Sequence, residues 1–135
     1  MIKVLVVDDS ALMRKLLGRI FATEADFEVQ FARNGLEGLD LVESFAPDVV
    51  TLDIHMPQMD GLACLDRIMV EHPRPVVMVS SLTAEGADAT FEALRLGAVD
   101  FVAKPEGGSH NFSATMTEHE AAVQAYRHAA KHKAF

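Results

Sequence analysis

The chain has one cysteine, Cys64, in 135 residues. No intrachain disulfide and no cysteine metal cluster can form. Long apolar runs are also missing, since the longest are strand-sized and fall well short of the roughly 20 residues that cross a bilayer. Met1 leads straight into such a run without a signal-peptide pattern, so the cytoplasm is the expected compartment. Basic residues are scarce: 12 Lys and Arg stand against 20 Asp and Glu, a formal charge of -8. That balance repels nucleic acid and anionic membrane. No local basic patch offsets it, and neither is expected as a partner. Internal repeats and low-complexity segments are absent too.

Half of the residues are apolar, enough for one globular domain with a full core. They fall into five short runs: Ile2-Lys3-Val4-Leu5-Val6-Val7, Phe27-Glu28-Val29-Gln30-Phe31-Ala32, Asp48-Val49-Val50-Thr51-Leu52, Pro75-Val76-Val77-Met78-Val79 and Ala98-Val99-Asp100-Phe101-Val102-Ala103. Segments of helical period lie between them. Ser10 is a candidate N-cap for a helix with Leu12, Met13, Leu16, Leu17, Ile20 and Phe21 on its apolar face. After Asn34-Gly35, the residues Leu36, Leu39, Leu41, Val42 and Phe45 make a second helix that stops before Pro47. A third spans about 60–72 and ends at Pro73 and Pro75, and a fourth spans about 84–96 with Gly97 as its C-terminal cap. Cys64 sits in the third helix's stripe of Leu62, Leu65, Ile68 and Met69, where a buried structural thiol is expected. Five β-α repeats imply a doubly wound parallel sheet with helices on both faces.

The C-terminal part reads differently. Residues 106–111 form a glycine-rich loop longer than the usual connection of about 2–6 residues. From Thr115 the pattern is helical again, with Met116, Val123, Tyr126 and Ala130 on a thin, alanine-rich face. This fifth helix is expected to pack only marginally and to lead toward a linker. The expected division is a domain over 1–106, then loop and helix over 107–135. His128 and His132 are spaced by four, but a solvated face explains them better than a metal site.

The chemistry concentrates where runs end. Asp8 and Asp9 follow the first, Asp53 the third, Ser80 the fourth, and Lys104 with Pro105 the fifth. In open α/β sheets these carboxyl ends converge on one pocket. Two carboxylates about 4 Å apart repel by roughly 4 kcal/mol at an effective dielectric near 20, so such a cluster implies a bound cation. Oxygen-only ligation suits magnesium. Asp53 could then be a metal ligand or a nucleophile that accepts a phosphoryl group. Lys104 and Ser80 favour the second role, because both can hold phosphoryl oxygens that a ligand-only Asp53 would leave them without. Ser81 competes with Ser80 for the hydroxyl role.

Val6-Val7-Asp8-Asp9-Ser10, Asp53-Ile54-His55-Met56-Pro57 with Met59-Asp60-Gly61, Val77-Met78-Val79-Ser80-Ser81 and Lys104-Pro105 together resemble the receiver domain of two-component response regulators. The resemblance implies a flavodoxin-like sheet of order 2-1-3-4-5. It implies Asp53 as phosphoacceptor, and Mg2+ held by Asp8, Asp9, Asp53 and the His55 backbone carbonyl. Ser80 and Phe101 would be the switch residues and Lys104 the phosphate-binding amine, followed by a cis bond to Pro105. The segments from Asp9 to Arg14, Asp48 to Asp53 and Pro75 to Thr83 are similar to the receiver of chemotaxis protein-glutamate methylesterases of the CheB type. That subgroup implies a histidine kinase of the CheA type as phosphodonor and an esterase effector domain in cis. No Gly-x-Ser-x-Gly elbow occurs in this sequence. The expectation is therefore a receiver without its own esterase, either a part of a longer protein or a stand-alone receiver. Phosphorylation would alter a surface on the fourth helix, fifth strand and fifth helix.

His55 departs from the polar residues usual two positions after the phosphoacceptor in this family; beside the phosphoryl group its side chain would tune phosphoryl lifetime. Two other classes fit less well. Aspartate-nucleophile phosphatases carry Asp-x-Asp-x-Thr where this chain has Asp8-Asp9-Ser10-Ala11. A flavodoxin-like cofactor binder would need a phosphate loop where this chain has two carboxylates.

Overall fold

The computed structural model describes residues 1–80, 84–103 and 116–131; the side chains of residues 80, 84–87, 103 and 116–122 lie outside that description. Strands and helices alternate: β1 (Ile2–Val7), α1 (Ala11–Ala22), β2 (Phe27–Ala32), α2 (Gly35–Phe45), β3 (Val49–Asp53), α3 (Gly61–Glu71), β4 (Val76–Ser80), α4 (Ala84–Leu96), β5 (Asp100–Ala103) and α5 (Met116–Ala130). All strand pairs are parallel and the order is β2-β1-β3-β4-β5, as the resemblance implied.

Central strands read as continuous apolar runs because both of their faces are covered. In β1, Leu5 and Val7 enter the core under α2, α3 and α4, while Val4 and Val6 enter the core under α1 and α5. All four are essentially inaccessible. At the β2 edge the pattern thins, and Glu28, Gln30 and Phe31 are exposed.

The helix ends follow the signals in the sequence. Ser10 Oγ accepts from the Met13 amide, Asn34 Oδ1 from Glu37 and Asp60 Oδ1 from Ala63, each quenching a donor that the first turn leaves open. Gly97 has φ +117 and ends α4 in a Schellman motif, with its amide on the Leu94 carbonyl and the Ala98 amide on Ala93. This cap uses the Ala98 amide, and β5 starts at Asp100, two residues later than its apolar run. β3 and β4 extend one residue past their apolar runs, so Asp53 and Ser80 are themselves the last strand residues.

The fifth helix corrects the expectation of marginal packing. Val123, Tyr126 and Ala129 are buried in the second core, and Tyr126 is fully enclosed. Its ring meets Phe21 edge-on at 4.9 Å, and its hydroxyl donates to Thr51 Oγ1 on β3 at 3.0 Å. Arg127 pairs with Asp26 and Glu24 and covers the Phe27 ring at 4.8 Å. One large aromatic supplies the buried area that the alanine-rich face lacks, and the small neighbours let the helix come close.

Candidate functional site

The acidic cluster lies at the carboxyl ends of β1 and β3, neighbours in the sheet centre. Asp8 directly follows β1; its amide donates to the Ala32 carbonyl and its Oδ1 accepts from the Ser10 amide at 2.9 Å. Asp8 thus shapes the turn, while Ser10 caps α1. Arg14, one turn into α1, donates from Nη1 to the Asp8 carbonyl at 2.8 Å. Asp8 and Asp53 are about 1 % exposed, whereas Asp9 faces solvent. One carboxylate oxygen from each of the three lies within 4.8 Å of the others.

Three hard oxygen donors, two enclosed and one at the rim, fit a magnesium ion, which commonly keeps several waters beside one or two carboxylates. His55 is exposed on the same rim and its amide lies 3.4 Å from Asp53 Oδ1. Asp9 and His55 are thus the solvent-facing residues beside the enclosed Asp8 and Asp53.

The loop after β3 is tightly folded. The Ile54 amide bonds to Val79, Gln58 adopts φ 70, the Met59 amide turns back to the Pro57 carbonyl, and the Gly61 amide bonds to Ile54 at 2.7 Å. A Cβ on Gly61 would lie 2.2 Å from the Asp53 carbonyl oxygen and 2.7 Å from the Ile54 Cα. Only glycine allows α3 to begin so close to the strand that carries Asp53.

The other expected residues are placed in part. Ser80 ends β4, where Asp53 pairs with the preceding Val79, and its strand partner is Ala103. Phe101 is cross-strand from Met78, on the same face of the sheet as Ser80, and is 46 % exposed. Ser81, Lys104 and Pro105, with the expected cis bond, lie outside the described residues, as does His132. His128 is exposed. Cys64 is buried, and burial pushes its thiol up to about 11, in keeping with a structural role.

Three residues near the cluster had drawn no role from sequence: Arg14, Thr51 and Tyr126. Two had a faint signal, Thr51 as a hydroxyl within an apolar run and Tyr126 as the sole tyrosine. Burial is the main cause that pushes the Tyr126 hydroxyl up to about 12; the Thr51 hydrogen bond opposes it, and negative Asp100 and Asp8 add to the rise. Among the described residues, Phe91 and Leu94 on α4 and Val99 and Phe101 at the start of β5 are exposed apolar side chains.

The family model described as response regulator receiver domain matches residues 4–130. A protein-glutamate methylesterase/protein-glutamine glutaminase from Rhodopseudomonas palustris is 64 % identical over 107 residues, which cover 79 % of this chain and 29 % of that protein. One from Vibrio cholerae is 60 % identical over 105 residues, covering 78 % and 29 %. The chain thus spans less than a third of the length of these curated relatives. Among solved structures, the response regulator domain of Thermotoga maritima CheB superposes with a TM-score of 0.87 at 45 % identity, covering 97 % of each chain. The receiver domain of NtrX from Brucella abortus gives 0.80 at 31 %, covering 96 % of this chain and 99 % of that one.

Proposed function

Since the chain belongs to the response regulator receiver domain family, we propose that Asp53 accepts a phosphoryl group from a histidine kinase of the CheA type, in the cytoplasm. The convergence of the Asp8, Asp9 and Asp53 carboxylates at the carboxyl ends of two central strands carries this reading. Asp8, Asp9, Asp53 and the His55 carbonyl would hold Mg2+. When bound, the ion would neutralise charge on the carboxylates and on the transferring group.

A carboxylate oxygen of Asp53 attacks phosphorus from the open rim. The phosphorus–nitrogen bond to the donor imidazole breaks as the new phosphorus–oxygen bond forms, and the imidazole leaves with the electron pair and takes up a proton. Enclosure of Asp53 and the close seat of Gly61 fix the attacking group, which is how such sites lower the barrier. The Ser80 hydroxyl and the Lys104 amine then bind phosphoryl oxygens. One charge-assisted hydrogen bond supplies about 1.5–3 kcal/mol, whereas moving a population from 1:99 to 99:1 needs about 5.5 kcal/mol. Both contacts are therefore required. Phe101, half exposed before the event, moves inward toward Ser80 and rearranges the exposed apolar side chains on α4 and β5. Those side chains are the surface offered to a methylesterase effector domain of the kind named in the relatives.

Intact mass after incubation with a small-molecule phosphodonor and Mg2+ tests the assignment. A phosphoryl adduct is expected on the wild type, absent in Asp53→Asn and absent when the metal is chelated beforehand. An adduct that persists in Asp53→Asn overturns Asp53 as the acceptor.

A further inference from the structure

The second core contains a polar contact that packing does not require. Thr51 is about 1 % exposed in the central strand β3, and the only hydrogen bond described for its side chain comes from Tyr126 on α5, 75 residues away. Phe21 holds the tyrosine ring edge-on from α1, and Phe27 packs on that phenylalanine at 5.3 Å. A valine and a phenylalanine at these two positions would fill nearly the same space without any polar group to satisfy. Because Thr51 precedes Asp53 by two residues in one strand, the two share a face of the sheet. β3 is therefore gripped at Thr51 by α5 and at Asp53 by the abutting start of α3 at Gly61.

We propose that Tyr126 is a positioning residue for the acidic site: through Thr51 it fixes the phosphoacceptor strand, and by the same bond α5 registers the charge bound at Asp8, Asp9 and Asp53. The effect must run both ways, because a contact that alters metal binding is altered by it to the same extent. The inference builds on the magnesium and phosphoacceptor reading above, and its first test requires the metal alone.

The sequence supplies the reporter, since it has one tyrosine and no tryptophan. Tyrosine emission, and absorbance at wavelengths beyond the phenylalanine band, therefore come from Tyr126. Titration with MgCl2 is expected to change that signal with the same midpoint that calorimetry gives for metal binding, and Asp8→Asn is expected to abolish the change. A Tyr126 signal that stays constant while calorimetry shows binding, or in the absence of any binding, overturns the proposal. The second arm is a cycle of Tyr126→Phe, Thr51→Val and the double variant, read as metal affinity and as the rate of adduct formation with a small phosphodonor. Each single variant is expected to weaken one or both by about 5-fold, the scale of one buried hydrogen bond, and the double variant to lose as much as either single and no more, because all three lack the same bond; a double variant that regains wild-type affinity and rate overturns the proposal. Variants that lose thermal stability yet keep wild-type affinity and rate reduce the bond to a purely structural one and overturn the proposal. If the wild type binds metal but forms no adduct, the phosphoacceptor reading fails while the Tyr126 titration still decides this one.

Discussion

Gly61→Ala adds a single methyl group at the point where α3 meets the end of β3. Its carbon would lie 2.2 Å from the Asp53 carbonyl oxygen, 2.7 Å from the Ile54 Cα and 2.9 Å from the Asp53 carbonyl carbon, against ordinary contact that begins at 3.4 Å. The obstacles are backbone atoms, so no rotamer relieves them; the strand end or the helix start must move by more than 1 Å. Moving the helix start stretches the 2.7 Å hydrogen bond from the Gly61 amide to Ile54 and the Asp60 cap on Ala63. Overpacking of this kind costs about 1–3 kcal/mol, and a lost cap adds about 1 kcal/mol. Alanine's better helix propensity returns at most about 1 kcal/mol. The net expectation is a loss of about 1–3 kcal/mol in urea unfolding at an unchanged slope. Displacement of the Asp53 carboxylate by a similar distance should slow adduct formation with a small phosphodonor by about 100-fold. Gly61→Ala with wild-type midpoint and wild-type adduct rate would refute the claim that close backbone approach, rather than chain flexibility, makes this position glycine.

Asp8→Asn keeps the oxygen that accepts from the Ser10 amide and removes one charge from the cluster; unfolding without metal should become harder, by about 3 kcal/mol for each of the two carboxylates no longer repelled at an effective dielectric near 20, while the stabilisation by added Mg2+ shrinks. A fall in metal-free stability would count against charge repulsion as the dominant strain. Arg33 holds the Glu37 carboxyl at about 2, below its ordinary 4.5, through a side-chain hydrogen bond first and a backbone one second. The contribution is complete above pH 4.5 and is lost as pH falls through about 2; in Arg33→Ala, which keeps the backbone amide on the carboxylate, carboxyl-detected NMR titration should find Glu37 raised part of the way back toward 4.5, and an unmoved titration would sink the attribution. Cys64, with its thiol pushed up by burial to about 11, should resist thiol reagents at pH 8 in the native state and react fully in denaturant, and rapid native labelling would contradict its place in the core.

Much of the architecture was legible because local chemistry and global fold agree. β1 and β3 are apolar on both faces, and only a parallel sheet covered twice satisfies that pattern. Ser10, Asn34, Asp60 and Gly97 mark helix ends by the hydrogen bonds and the backbone angle that those residue types supply. The acidic cluster was legible for a similar reason: Asp8, Asp9 and Asp53 terminate runs that topology must bring side by side. α5 was misjudged as loosely attached, since apolar content along a helix does not reveal that one tyrosine will be wholly enclosed.

The sequence by itself determined the order of elements, their caps and the residues of the acidic site, because each depends on neighbours within a few positions or on strand ends that all open on one side. Tertiary structure alone decided that Tyr126 reaches Thr51, that Arg14 braces the Asp8 carbonyl and that Gly61 presses on the Asp53 backbone. The first joins residues 75 apart in the chain, and the other two, though close in sequence, depend on how α1 and α3 are seated against the strand ends, which only the packing of both faces of the sheet fixes.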